Sequence, residues 1–204
     1  MDKPVEIPNI RIITVSGRIA SGSTTLAKHL ARRLGWKHME GGEIFWEAVR
    51  SKLGLDTKDT NLRPDEEDLL FEEKQKELLK THTHLVLESK LAGFCAQDMP
   101  DVFKIGVLCE DEGTGEDKAD IRIDRLVNRE ELSVENAKAE VLEREENDLA
   151  KWRKLYAKND KEWVYWDRKY YDLIVNTFTH NQEESLELVL KSIGQKEIHH
   201  EQTE

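Results

Sequence analysis

The segment "IRIITVSGRIASGSTTLAKHLARRLG", residues 10–35, constrains the fold more than any other part of the chain. A β-branched apolar run enters a glycine, a short loop follows, and a helical pattern leaves it. Leu26, Leu30 and Leu34 share a helix face with Ala27 and Ala31 beside them, and Gly35 ends the pattern. Gly17, Gly22 and Thr24 fall in register with G-x-x-x-x-G-K-[ST], but Ser23 stands where that pattern has lysine. A strand that feeds a helix through such a loop aims backbone N–H groups and a helix N-terminus at one point, which suits an anion. An ordinary glycine turn with serine caps uses the same letters, so the loop alone leaves both readings open.

The rest of the chain alternates strands with helices. "WKHM" reads as a short strand and "GGEIFWEAVRSKLG" as a helix stopped by glycine. Pro64 opens a third helix, "PDEEDLLFEEKQKELLKT", with acidic residues in its first turns, where the helix dipole favours them. "HLVLES", "VFKIGVLCE" and "YYDLIVNT" read as strands, and "NQEESLELVLKSIG" as the last helix. This order predicts an α/β fold of three layers, a parallel sheet of about five strands flanked by helices. The stretch 110–160 is highly charged and carries two helical patterns, "DKADIRIDRLVNREE" and "SVENAKAEVLEREENDLAKWRKLYA", the second starting near Ser133. It reads as a helical lid within a single domain spanning 1–204. The polar tail 195–204 is expected to be disordered.

The net charge is -11, with 36% charged residues, which argues against nucleic acid and anionic membranes as partners. No apolar run approaches the ~20 residues of a membrane span, and the N-terminus has no signal-peptide layout. Cys95 and Cys109 form no CxxC spacing and suggest no disulfide framework, so a reduced, cytoplasmic setting is the expectation; a monomer is expected as well. His82 and His84 would share a strand face, but no further ligand accompanies them, so they form no metal pattern.

Several segments, in order from about Ile10 to Ile193, resemble the cytidylate kinases of the archaeal type, a branch of the nucleoside monophosphate kinases. "GRIASGSTT" is similar to that branch's G-x-P-G-S-G-T-T-T loop, which also lacks the lysine. "GGEIF" resembles S-A-G-E-I-F at its monophosphate site, and "LESKLAGF" resembles E-S-R-L-A-G-W. Arg122, Arg125, Arg129 and Arg144 resemble its arginine-rich lid, and "YYDLIVNT" its final strand Y-D-L-V-I-N-T. Three positions depart from the pattern: Trp46 and Lys90 stand where the family has arginines associated with the acceptor phosphate, and Glu40 replaces a small serine. Lysine keeps the charge but loses the guanidinium fork, while tryptophan loses both.

The resemblance implies ATP and Mg²⁺, with transfer to a nucleoside monophosphate, CMP or dCMP foremost. It places the phosphates of ATP at Gly17, Arg18, Ala20, Ser21, Gly22, Ser23, Thr24 and Thr25, and Mg²⁺ at Thr24. Glu88 ends a strand where open α/β sheets gather ligands, and would order metal-bound water or else serve as a surface carboxylate. Lys90 is the first choice for the acceptor phosphate. Arg125, Arg129 and Arg144 would neutralise the transferring group; a solvated charged face is the competing reading. Arg18 is a second source of charge or an exposed side chain. Gly42 lies at the monophosphate segment, and Phe45 and Trp46 would stack on a base or belong to the core. Asp68 and Gln75, seven apart on one helix, would read a base edge or face solvent. The aromatics of "KEWVYWDRKYY" read as packing between lid and sheet. Two further functions stay open: a nucleotide-binding regulator without transferase activity, and a kinase of another small acceptor.

Overall fold

The computed structural model describes residues 3–194; the tail expectation for 195–204 therefore lies outside the described residues. Five parallel strands form one sheet in the order β2-β3-β1-β4-β5. They are β1 (Ile12–Gly17), β2 (Lys37–Glu40), β3 (Leu85–Glu88), β4 (Val102–Leu108) and β5 (Leu173–Asn176). β1 is buried along its whole length, as its unbroken apolar-to-small run requires of a central parallel strand.

Helices cover both faces. The apolar stripe of α1 (Ser23–Leu34) packs with α8 (Gln182–Ser192) on one face, where Leu26, Leu30 and Leu34 meet Ile13, Val15 and Val189. On the other face, α3 (Asp65–Thr81) and the short α4 (Ala92–Cys95), which the sequence pattern did not show, lie with α7 (Glu145–Tyr156). Leu79, Leu149, Trp152, Trp163 and Tyr165 share that core with Ile12 and Leu87. The aromatics of the 162–171 stretch do fill the space between the charged helices and the sheet. α2 (Gly41–Leu53) follows β2 directly, and α5 (Ala119–Glu130) and α6 (Val134–Lys138) complete the set.

Two local expectations are corrected. The stretch after Ser133 is not a uniform α-helix: Ser133 caps α6 through Asn136 N, but residues Ala139–Arg144 form a π-helical turn before α7. Such a turn carries extra residues and rotates the downstream helix about its axis. Hydrophobic periodicity is too coarse to reveal that. His82 and His84 are also not strand residues: His82 caps α3 and His84 has φ 53°, one residue before β3 begins. Among the described residues no helix is long and apolar enough to cross a membrane.

Candidate active site

The loop between β1 and α1 is built to leave its amides open. Gly22, at the head of α1, has φ 101°, and among the described residues no side chain caps the first N–H groups of α1. Gly17 is needed for another reason: a Cβ there would sit 2.4 Å from Ser21 Oγ. Ser21 is fully buried, and its Oγ has no hydrogen-bond partner among the described residues. Its carbonyl is held from the far end of the sheet, accepting from Thr177 Oγ1 at 2.6 Å and from Arg125 Nη1 at 3.4 Å. Arg125 also donates to Thr177 O at 2.7 Å. It therefore braces the loop from the side, where it, Ala20, Thr25, Arg129 and His180 line one pocket.

Glu88 ends β3 beside this loop. Ser23 Oγ donates to Glu88 Oε1 at 3.1 Å and Thr24 Oγ1 at 3.3 Å. Burial raises the Glu88 pKa from 4.5 to about 7, helped by Glu40 one strand away and opposed by the two hydroxyls. A carboxylate held so far from its ordinary value, facing hydroxyls at a helix N-terminus, is suited to a cation. The donor set, oxygens only and few of them, fits Mg²⁺, which keeps several waters and takes phosphate oxygens as ligands.

A second, aromatic-walled pocket lies beside the phosphate crevice. Phe45, Trp46, Phe71 and Trp152 form its walls, with Asp68, Gln75 and Lys90 among its polar residues. Gly42, Trp46, Ser89, Lys90 and Arg144 line both this pocket and the crevice at Gly17–Thr24 and Glu88. The two cavities thus meet at a cationic wall.

The sequence-derived residues divide clearly. Lys90 sits on that wall, its Nζ donating to Asp148 at 2.8 Å; burial lowers its pKa and the Asp148 charge opposes this. Arg144 also sits there, with its guanidinium 5.6 Å from the Trp46 ring centroid, Nη1 on Glu140 and Nε buried without a partner. Gln75 is 1% exposed with an unpartnered Oε1. Phe45 and Trp46 are both buried wall residues, so the choice between core and pocket dissolves. Arg129 is exposed and paired with Glu130 at the crevice rim.

Arg18 lines the crevice and Asp68 the aromatic pocket, but both are held by protein partners. Asp68 has no free oxygen to offer a base: Arg63 donates to both its oxygens at 3.0 and 2.8 Å, and Trp152 Nε1 donates at 3.1 Å. Arg18 is neither exposed nor free: it lies 4.2 Å over the Trp166 ring and donates to Glu145 at 2.5 Å. Arg122, expected on a solvated or phosphate-facing helix side, is 0% exposed and bonded to Asp117, Glu145 and Ile19 O.

Sequence reasoning missed Arg63, Asp148 and Glu145. Arg63 lies in an irregular stretch just before Pro64, where no periodicity flags it. Asp148 and Glu145 were hidden among the many acids of a charged helix, and only their burial sets them apart.

The family model described as the cytidylate kinase-like family matches residues 12–179. The chain belongs to that family. A cytidylate kinase of Natronomonas pharaonis is 34% identical over 81% of this chain and 80% of its own length. One from Haloarcula marismortui is 31% identical over 89% and 88% respectively. A gluconokinase structure from Sinorhizobium meliloti 1021 superposes with TM-score 0.55 at 12% identity, covering 92% of this chain and 93% of its own, which shows the shared P-loop kinase fold. Membership in the cytidylate kinase-like family makes the chain a phosphotransferase and disfavours a regulator without activity.

Proposed function

We propose that this enzyme transfers the γ-phosphoryl group of ATP to CMP or dCMP, giving the diphosphate and ADP. The observation that carries the reading is the shared wall. Lys90 and Arg144 line both the phosphate crevice and the aromatic pocket, where two phosphates would meet in line. The choice of a cytidine nucleotide follows the relatives named cytidylate kinase.

The residues then divide the labour. The α1 amides and the loop at Ala20–Thr25 hold donor phosphate. Thr24 and Glu88 would hold Mg²⁺, directly or through its water; when bound, it neutralises donor oxygens. Lys90 grips the acceptor phosphate, and Asp148 keeps its ammonium aimed. Arg144, on the same wall, supplies the positive charge that Ser23 does not. The aromatic walls take the base and exclude water, and Gln75 Oε1 accepts an N–H from its edge. Residues 110–160 act as a lid in a single domain.

An acceptor panel tests this: CMP, dCMP, UMP, AMP and small alcohols, with ADP release as readout. Fast turnover with CMP or dCMP is expected. Tryptophan at position 46, in place of the family's arginine, favours keeping another small acceptor in view, and turnover with an alcohol alone would establish it. Lys90→Ala should lower kcat/KM for the acceptor by about 100-fold, the size of a lost charge-assisted phosphate contact, with ATP binding unchanged. An unchanged value would remove Lys90 from the site.

A further inference from the structure

Helix α7 carries two buried carboxylates, three residues apart, that serve different halves of the site. Glu145, 4% exposed, reaches the phosphate loop. It accepts from Arg18 Nε at 3.0 Å, from the Ile19 amide at 3.3 Å and from Arg122 Nη1 at 3.2 Å. Asp148, 3% exposed, reaches the acceptor side, accepting from Lys90 Nζ at 2.8 Å and Arg63 Nη2 at 3.2 Å. Residues at i and i+3 are neighbours on a helix surface, so one rigid turn joins the two contacts. Leu149 and Trp152 fix that turn in the core.

Stability alone is a poor account of this arrangement. Buried ion pairs give back in attraction roughly what they lose in desolvation. What they do confer is fixed geometry. Glu145 does not line the acceptor pocket, and Asp148 does not line the crevice at the phosphate loop. Yet Glu145 is bonded to a loop amide, and Asp148 holds the lysine that faces the acceptor.

We propose that Glu145 is a positioning residue that couples the two halves. When donor phosphate fills the loop, Arg18 and Ile19 settle, Glu145 and α7 settle with them, and Asp148 fixes Lys90 and Arg63 for the acceptor. The inference rests on the reading of the two cavities as donor and acceptor sites. Its consequence is reciprocal: donor raises acceptor affinity, and acceptor raises donor affinity by the same factor, about 5-fold or more.

Amide hydrogen exchange of the full chain tests this, with a non-hydrolysable ATP analogue and Mg²⁺ but no acceptor. Protection is expected at the loop and α1, and also across Asp65–Thr81, which does not line the crevice at the phosphate loop. In Glu145→Gln the loop protection should persist while the distal protection is lost. Arg18→Gln, which cuts the same link elsewhere, should behave alike, and the acceptor KM should rise in both. Wild-type protection that does not reach Asp65–Thr81 overturns the coupling, whatever the variants do. So does distal protection retained in both variants. Distal protection together with an inactive CMP panel would leave the coupling standing and overturn the acceptor assignment. No response to the analogue anywhere would overturn both.

Discussion

Arg63→Met is expected to destabilise the protein by about 3–5 kcal/mol, the usual consequence of stranding a buried charge. The Arg63 side chain is 1% exposed, and its guanidinium serves two carboxylates, Asp68 and Asp148, whose side chains are each 4% exposed. Methionine preserves volume but removes every donor. Lys151 and Lys90 remain beside the two acids and soften the loss. Arg63 also lies 5.0 Å over both the Phe45 and the Trp46 rings, so the acceptor pocket should loosen with it. Urea unfolding of the two proteins measures the difference. A change below about 1 kcal/mol, the range of an exposed pair, would mean that the cluster is wetter than its burial implies.

Glu88→Gln should act in opposite directions on activity and on stability. Turnover should fall by about 10²–10³, the size expected when a preorganised electrostatic group is removed from a closed site. The nucleotide-free protein should nevertheless become more stable at pH 8. The Glu88 carboxyl is raised from 4.5 to about 7 in the folded state, by burial first and the Glu40 charge second. The folded state therefore holds this proton more tightly than the unfolded chain. That contribution is complete below about pH 4.5 and is lost as pH rises through 7. The shift corresponds to at most about 3 kcal/mol. Glutamine carries no such proton, so the variant's stability should lack this slope. Unfolding without nucleotide or metal at pH 5 and pH 8 decides it; equal pH dependence in the two proteins would sink the account.

Much of this molecule could be read from one-dimensional pattern. The strand-to-helix loop, the order of strands and helices and the end of β3 at Glu88 all express local spacing, which sequence displays directly. The contacts of Arg18, Asp68 and Arg122 could not be read that way. Helical phase gives Asp68 and Arg122 a face and gives the loop residue Arg18 none, but a partner outside the residue's own element decides each role: Glu145 for Arg18 and Arg122, Arg63 for Asp68. The π-helical turn before α7 compounds the problem. It shifts the phase of Arg144, Glu145 and Asp148 against the helix that precedes them, so α-periodicity counted from Ser133 misassigns their faces. Charged helices are opaque for the same reason: nothing in the string separates a buried acid from its solvated neighbours.

The phosphate loop also has a bearing on biosynthesis. It follows β1 directly, yet its Ser21 carbonyl is held by Thr177, 156 residues further on and just past β5. Among the described residues β1 pairs with strands far downstream, β3 and β4. A nascent chain emerging from the ribosome therefore carries the loop's letters long before it carries the loop. Contacts of such long sequence separation form late and slowly. Nucleotide capture by this protein is thus a report that synthesis has passed β5 and Thr177.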